Sequence, residues 1–166
     1  MPITLEDAKR HARVTGDLED ADFIRMIDAV EREAEEYASI ALISQQVRVI
    51  LPCWPRTQLF NLPITPMMDA TSVLVQVDGL PFDDFAVLAG YRPALRLVGG
   101  RPPGEVVIEY TAGFGDDPED IPADLRQAML DQVLVYYDER GAAVAKVSTL
   151  SPHFARILGR YRGVRA

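Results

Sequence analysis

Cysteine and long apolar runs are scarce in this sequence of 166 residues. The single cysteine, Cys53, excludes an intrachain disulfide and is compatible with a reducing cytoplasm. No apolar run approaches the roughly 18 residues that a membrane-spanning helix needs, and the first residues lack the basic and then apolar segments of a signal peptide. We therefore expect a soluble intracellular protein with no membrane partner.

Catalytic and metal-binding patterns are also missing. The two histidines, His11 and His153, are not accompanied by a compelling Ser/His/Asp order or a nucleophile-elbow pattern. We expect His11 to be an ordinary surface histidine and Cys53 to be a buried or half-buried structural thiol. The turn at 99–104 lacks the Lys-Ser/Thr of a phosphate loop, and the acidic cluster at 116–120 lacks EF-loop spacing. The sequence therefore predicts no enzyme, no cofactor and no metal site.

Acidic residues are absent from the end of the chain. After Glu139 there are six basic residues: Arg140, Lys146, Arg156, Arg160, Arg162 and Arg165. Because the whole chain has 17 Lys+Arg against 25 Asp+Glu, only 11 basic residues face those 25 acidic ones in residues 1–139. The body is therefore near −14 and the tail near +6, two parts of opposite charge.

The basic tail also contains large apolar side chains, namely Phe154, Ile157, Leu158 and Tyr161. Aromatic residues and arginine are enriched at the hot spots of protein–protein interfaces. A frayed basic terminus is the alternative, since chain ends are often disordered, but disordered tails are usually poor in such residues. We therefore interpret residues 142–166 as a linker followed by a C-terminal docking arm.

Three segments before the tail have helical patterns, at about 4–14, 19–42 and 122–140. In the first, the side chain of Thr4 is placed to cap the first turn, and in the second Asp17 is the expected cap. The second helix has a continuous apolar stripe with spacings of 3 and 4: Phe23, Ile27, Val30, Ala34, Tyr37 and Ala41. Pro122 suits the start of the third helix, and Gly141 is expected to end it.

Residues 45–112 change to strand patterns and predict an antiparallel β module inserted between the helices. Residues 46–51 alternate and then meet prolines, as in an edge strand, and the Asp78-Gly79 turn joins a strand at 72–77 to one at 85–88. A second hairpin is expected between 95–98 and 105–111. The predicted fold is therefore α+β: one domain, residues 1–141, formed by a small helical bundle with the β insertion, followed by the extended C-terminal arm.

Three sets of residues occur in a specific order along the chain. Residues 5–14 precede 22–30 and 34–37, residues 110–115 lead into 121–129 and 136–140, and Leu158 to Arg162 reads Leu-Gly-Arg-Tyr-Arg. Together they resemble the paired N-terminal helices, the strand-to-helix junction and the terminal signature of the head–tail connector proteins of long-tailed bacteriophages. Ala12 departs from this pattern, where leucine is usual. The richness in arginine and alanine, with only two lysines, also suits a relative from a phage-derived gene transfer agent.

This resemblance implies a non-enzymatic adaptor in the neck of a virion or phage-like particle, assembled in the cytoplasm of the host bacterium. Such adaptors form a ring, commonly of twelve copies, between the portal of the DNA-filled head and a tail-side connector or stopper protein. DNA passes through the lumen without sequence-specific binding, and negative walls would let it slide. In the family the C-terminal segment reaches the portal, which by position implies portal contacts at Phe154, Ile157, Leu158, Arg160, Tyr161 and Arg162.

Two other functions are compatible with parts of the sequence. A DNA-binding or regulatory module would use the basic arm as its nucleic-acid contact, but the net charge of −8 disfavours it because phosphate binding needs a basic surface. A small hydrolase or metal-dependent enzyme would need a catalytic cluster that the sequence does not contain.

Overall fold

The computed structural model describes residues 1–90, 92–140 and 150–162. These residues confirm the α+β class, with four α-helices and seven strands. They divide into two compact units, of which unit 1 comprises Met1–Ile43 and Gly115–Ala166, and unit 2 comprises Ser44–Phe114. The expected linker at 142–149 and the expected helix stop at Gly141 lie outside the described residues.

Unit 1 contains the helices: α1 (Leu5–Ala12), α2 (Asp20–Ala38), α3 (Ala123–Glu139) and α4 (Pro152–Tyr161). The predicted cap of α1 is confirmed, since the Thr4 side chain accepts a hydrogen bond from the Asp7 N–H at 3.1 Å. The expected cap of α2 is wrong. Asp17 pairs with the Lys9 ammonium at 3.1 Å, and Glu19 takes the N-cap position.

The second helix is shorter than predicted. It ends at Ala38 because Ser39 adopts a left-handed conformation, with φ of 55°. The buried apolar pattern nevertheless continues through Ile40, Ala41 and Leu42, and the Leu42 N–H donates to Glu35 Oε1 at 3.0 Å. The apolar spacing of the sequence therefore predicted burial correctly up to Ala41, although the backbone is no longer helical after Ala38.

The core of unit 1 lies between α2 and α3. Phe23, Ile27, Val30 and Ala34 of the predicted stripe are fully buried, while Tyr37 remains half-buried. From α3 the buried side chains are those spaced along its inner face: Leu125, Ala128, Met129, Gln132 and Val133. The ring of Phe23 also stacks on Tyr137, with centroids 4.9 Å apart.

Unit 2 contains two antiparallel sheets. Its strands are β1 (Gln45–Leu51), β2 (Leu59–Asn61), β3 (Leu74–Val77), β4 (Leu80–Pro81), β5 (Phe85–Leu88), β6 (Ala94–Leu97) and β7 (Val106–Ala112). One sheet has the order β1-β7-β3-β4 and the other β2-β6-β5. The first strand lies at a sheet edge, as predicted, with Gln45 opposite Ala112 and Leu51 opposite Val106.

Both predicted hairpins of unit 2 are wrong in their pairing, although the strands occur near the predicted places. The Asp78-Gly79 turn leads into the short β4 instead of β5, and β6 and β7 belong to different sheets. The segment between β6 and β7 does not turn back, because Arg101 Nε donates to the Trp54 carbonyl at 2.6 Å. This contact and the prolines at 102 and 103 direct the chain from one sheet to the other.

Tyr110 joins β7 to the connector that precedes β3. Its side chain is 1% exposed, and its hydroxyl donates to the Ile64 carbonyl at 3.0 Å and accepts from the Ile64 N–H at 3.1 Å. Burial raises the pKa of the Tyr110 phenol, and the hydrogen bond to the Ile64 backbone opposes that rise. One side chain thus satisfies both backbone groups of a residue outside any strand.

Among the described residues, no helix combines the length and apolar character needed to cross a bilayer.

We predict that Tyr110→Phe destabilises unit 2 by about 1–3 kcal/mol, because both backbone groups of Ile64 lose their partner in a part-buried place. Urea unfolding followed by Trp54 fluorescence measures this, since Trp54 is the single tryptophan and is fully buried in unit 2. Tyr37→Phe, in unit 1, is the control and should leave the Trp54 transition unchanged. Equal transitions for both variants would contradict the prediction.

Candidate docking site on the C-terminal helix

The residues expected to form an extended arm form the helix α4 instead. The Ser151 hydroxyl accepts a hydrogen bond from the Phe154 N–H at 3.1 Å, and Pro152 occupies the first turn. Both are favourable at a helix start. The correction has a signal in the sequence, because Phe154, Ile157, Leu158 and Tyr161 follow the spacing of three and four residues that marks a helix face.

The inner side of α4 is part of the core of unit 1. Phe154 and Leu158 are 0% exposed and Ile157 is 3% exposed, with α4 packed on α3 and α2. Burying a side chain of this size stabilises a fold by roughly 1.5–3 kcal/mol. The three apolar residues of the expected portal contact are therefore covered by the chain itself.

The outer side of α4 carries the polar half of the expected site. Arg160 is exposed, and its Nη1 lies 3.8 Å from Asp124 Oδ2. The Tyr161 hydroxyl donates to Asp124 Oδ1 at 2.8 Å. The guanidinium of Arg162 lies 5.1 Å from the centre of the Tyr37 ring, a cation–π distance. The six predicted residues thus lie together on one helix and its end, divided between core and surface.

The start of α4 is bonded to two successive residues of α3. The Ser151 N–H donates to Gln132 Oε1 at 2.8 Å, and His153 Nδ1 lies 2.7 Å from Asp131 Oδ2. The other oxygen of Asp131 lies 3.0 Å from Nε2 of His11, in α1. The expectation of an ordinary surface histidine at His11 is therefore wrong, and sequence patterns had no signal for it because only the fold brings the two histidines to one carboxylate.

Arg140, the first residue of the basic tail, is paired with the body. Its Nη2 lies 2.5 Å from Glu19 Oε1, the Tyr137 hydroxyl donates to Glu19 Oε2 at 2.8 Å, and the guanidinium lies 3.9 Å from the Tyr137 ring centre. The hydrogen bond from Tyr137, followed by that from Arg140, lowers the pKa of the Glu19 carboxyl. Of the remaining basic tail residues, Lys146 and Arg165 lie outside the described part of the chain.

The position of Cys53 differs from the one that the sequence indicates. Cys53 is exposed, contrary to the expectation, because the adjacent Trp54 occupies the interior, and the Cys53 thiol accepts from Arg101 Nη2 at 3.0 Å. Within residues 1–90, 92–140 and 150–162, no group of three or more His, Cys, Asp or Glu is placed to hold a metal ion.

We predict that Phe154→Ala lowers the free energy of unfolding of unit 1 by about 3–5 kcal/mol, because it opens a cavity at a fully buried position. Arg156→Ala, on the exposed side of the same helix, is the matched control, and its change should stay within about 0.5 kcal/mol. Thermal unfolding followed by far-UV circular dichroism measures both. Similar stability of the two variants would contradict the packing of α4 described above.

We also predict that Glu19 contributes to acid sensitivity. Because its pKa is lowered in the folded state, its stabilising contribution is present above the pKa of the unfolded chain and is lost as pH falls through the lower folded value. Glu19→Gln should therefore reduce the difference in stability between neutral pH and about pH 3, measured by urea unfolding across that range. Glu36→Gln, an exposed carboxyl on the same helix, is the control, and an equal change in both variants would refute the assignment.

Neither a protein-family model nor a curated protein matches this chain. Solved structures do match it. It is 26% identical to a chain in the neck of an empty gene transfer agent (GTA) particle computed with C6 symmetry, covering 99% of this chain and 91% of that one with a TM-score of 0.78. It is 27% identical to a chain in the virion of the native GTA particle, and this match covers 99% of this chain and 91% of that one with a TM-score of 0.77. It is 25% identical to a chain in the neck of the native GTA particle computed with C12 symmetry, and this match covers 98% of this chain and 89% of that one with a TM-score of 0.75.

These matches confirm the resemblance that the sequence indicates, both to connector proteins and to a gene transfer agent.

Proposed function

We propose that this chain is a structural, non-enzymatic component of the neck of a phage-like particle, where it joins the portal of the DNA-filled head to the tail. The observation that carries the proposal is the match to a chain of a GTA neck over 99% of the sequence at a TM-score of 0.78. The match extends over both units and over α4, so the likeness is not confined to one widespread element. The absence of a metal-holding group among the described residues is compatible with this role.

In this proposal the copies form a closed ring of twelve. The neck structures that the chain resembles were computed with C6 and C12 symmetry, and both symmetries are compatible with twelve positions around an axis. A cyclic ring uses heterologous contacts, in which one surface of each copy meets a different surface of the next copy. The ring surrounds the DNA path, and a tail-side connector or stopper protein binds its other end.

The charge of the chain supports passage of DNA without tight binding. The net charge is −8, and a negative wall repels the phosphate backbone. In the described part of the tail, three basic groups have partners in the body, with Arg140 on Glu19, Arg160 near Asp124 and Arg162 over the Tyr37 ring. We therefore assign the tail to protein contact in preference to nucleic-acid contact.

We propose that the portal contacts α4 and its end through Phe154, Ile157, Leu158, Arg160, Tyr161 and Arg162. In the packed helix only the last three of these reach the surface or are half-buried. Contact through all six therefore requires α4 to leave its place on α3. Uncovering three buried apolar side chains would cost roughly 1.5–3 kcal/mol each, which a portal groove must offset by covering them again.

The experiment is mass photometry of the purified full-length protein alone and mixed with the cognate portal. We expect the wild type to add about one copy per portal subunit, as an adaptor ring with matching symmetry requires. The variant Arg160→Glu with Arg162→Glu should lose this addition, because the charge on the outer side of α4 is reversed. A truncation before α4 is unsuitable, since it removes three core side chains.

Arg56→Glu is the matched control, because it reverses one exposed arginine in unit 2. It should bind the portal as the wild type does. A wild type that leaves the portal mass unchanged would overturn the adaptor proposal. Binding of the double variant at wild-type level would overturn the portal contact at Arg160 and Arg162 while leaving the adaptor proposal intact.

A further inference from the structure

The two histidines of the chain lie on one carboxylate. His11, in α1, has its Nε2 3.0 Å from Asp131 Oδ1, and His153, in α4, has its Nδ1 2.7 Å from Asp131 Oδ2. Asp131 itself belongs to α3. A single side chain of the central helix therefore connects the first helix of the chain with the last one.

The arrangement gives the two imidazoles separate places on the carboxylate. Gln127 Nε2 also donates to Asp131 Oδ1, at 2.9 Å, so one oxygen is held by His11 and Gln127 and the other by His153. A neutral imidazole has one N–H, and each histidine here can direct it to the carboxylate by choosing its tautomer. The groups on Oδ1 hold the side chain of Asp131 in the rotamer in which Oδ2 faces His153.

A second side chain of α3, that of Gln132, also bonds to the start of α4. Gln132 accepts from the Ser151 N–H through Oε1, but it is fully buried and its Nε2 has no hydrogen-bond partner within the described part of the chain. Burying a donor without a partner costs about 1–3 kcal/mol, which offsets part of the gain from the bond to Ser151. The polar attachment of the first turn of α4 therefore consists of the Asp131–His153 contact and the Ser151–Gln132 bond, beside the buried ring of Phe154.

We propose that Asp131 is a latch that couples α1 to α4, so that loosening His11 at one end of the chain also loosens α4 at the other. Removing His11 leaves Gln127 as the one described group on Oδ1, so the Asp131 side chain is less firmly ordered, and the contact with His153 must offset more of the cost of ordering it. If the proposed function holds, this coupling means that a change at His11 alters how readily α4 becomes available to the portal. The coupling itself is a property of the isolated chain.

The test is hydrogen–deuterium exchange of the full-length protein without portal, read from peptides that cover α4. Asp131→Ala and His153→Ala should each raise the exchange rate of α4 amides on the order of tenfold, as expected for lost charge-assisted hydrogen bonds. His11→Ala should raise it roughly fivefold in the wild-type background, a coupling of the size seen between residues of one hydrogen-bond network. In a chain that already carries His153→Ala or Asp131→Ala, the same substitution at His11 should have no further effect on α4, because the coupling needs both partners.

Two matched controls separate the latch from general weakening. Arg10→Ala removes an exposed side chain that is paired within α1, and Asp138→Ala removes an exposed carboxylate from α3. Both should leave α4 exchange within about twofold of the wild type. Unchanged α4 exchange in His11→Ala would overturn the proposal, and so would an equal effect of His11→Ala with and without His153. Since no portal is present, failure here is distinguishable from failure of the adaptor role.

Discussion

The packing of α4 on α3 is the interaction on which the rest of unit 1 depends. It brings Phe154, Ile157 and Leu158 into the same core as the α2 stripe, and it places Arg160 3.8 Å from Asp124 of α3. The charge asymmetry along the sequence is thus partly neutralised in the fold, with Arg140 on Glu19 and Arg160 near Asp124. In the fold, α4 completes a core, and it is also proposed to bind the portal. Its packing must therefore be strong enough for unit 1 to fold and weak enough for α4 to leave the core when the portal binds.

Much of unit 1 could be predicted from the sequence because local rules determine it. The Thr4 cap, the stripe from Phe23 to Ala34 and the helix after Pro122 each depend on residues within one or two turns. The prediction of an extended C-terminal arm was wrong for a related reason. That prediction used the charge and composition of the tail. The spacing of Phe154, Ile157 and Leu158 already predicts a helix with one apolar face, which must be buried against another part of the chain.

The pairing of strands and the candidate latch could not be predicted, since both depend on contacts between distant parts of the chain. Alternation indicates which residues form strands, but it does not indicate partners, and β6 and β7 follow each other in sequence while lying in different sheets. Likewise, no spacing rule relates His11 to His153. The family resemblance was predictable because it depends on the order of several weak motifs along the chain, and the match to a chain of a GTA neck extends over 99% of this chain.

The register between the first and last strands of unit 2 has an evolutionary consequence. Gln45 lies directly opposite Ala112, so the points at which the chain enters and leaves this unit are about 5 Å apart, the usual spacing of paired strands. An insertion with adjacent ends can be exchanged for another while the flanking helices stay connected as before. A relative with the same helices can therefore carry a different β unit at this place. Its β unit would then bind different partners while the sequence of the helical unit stays the same.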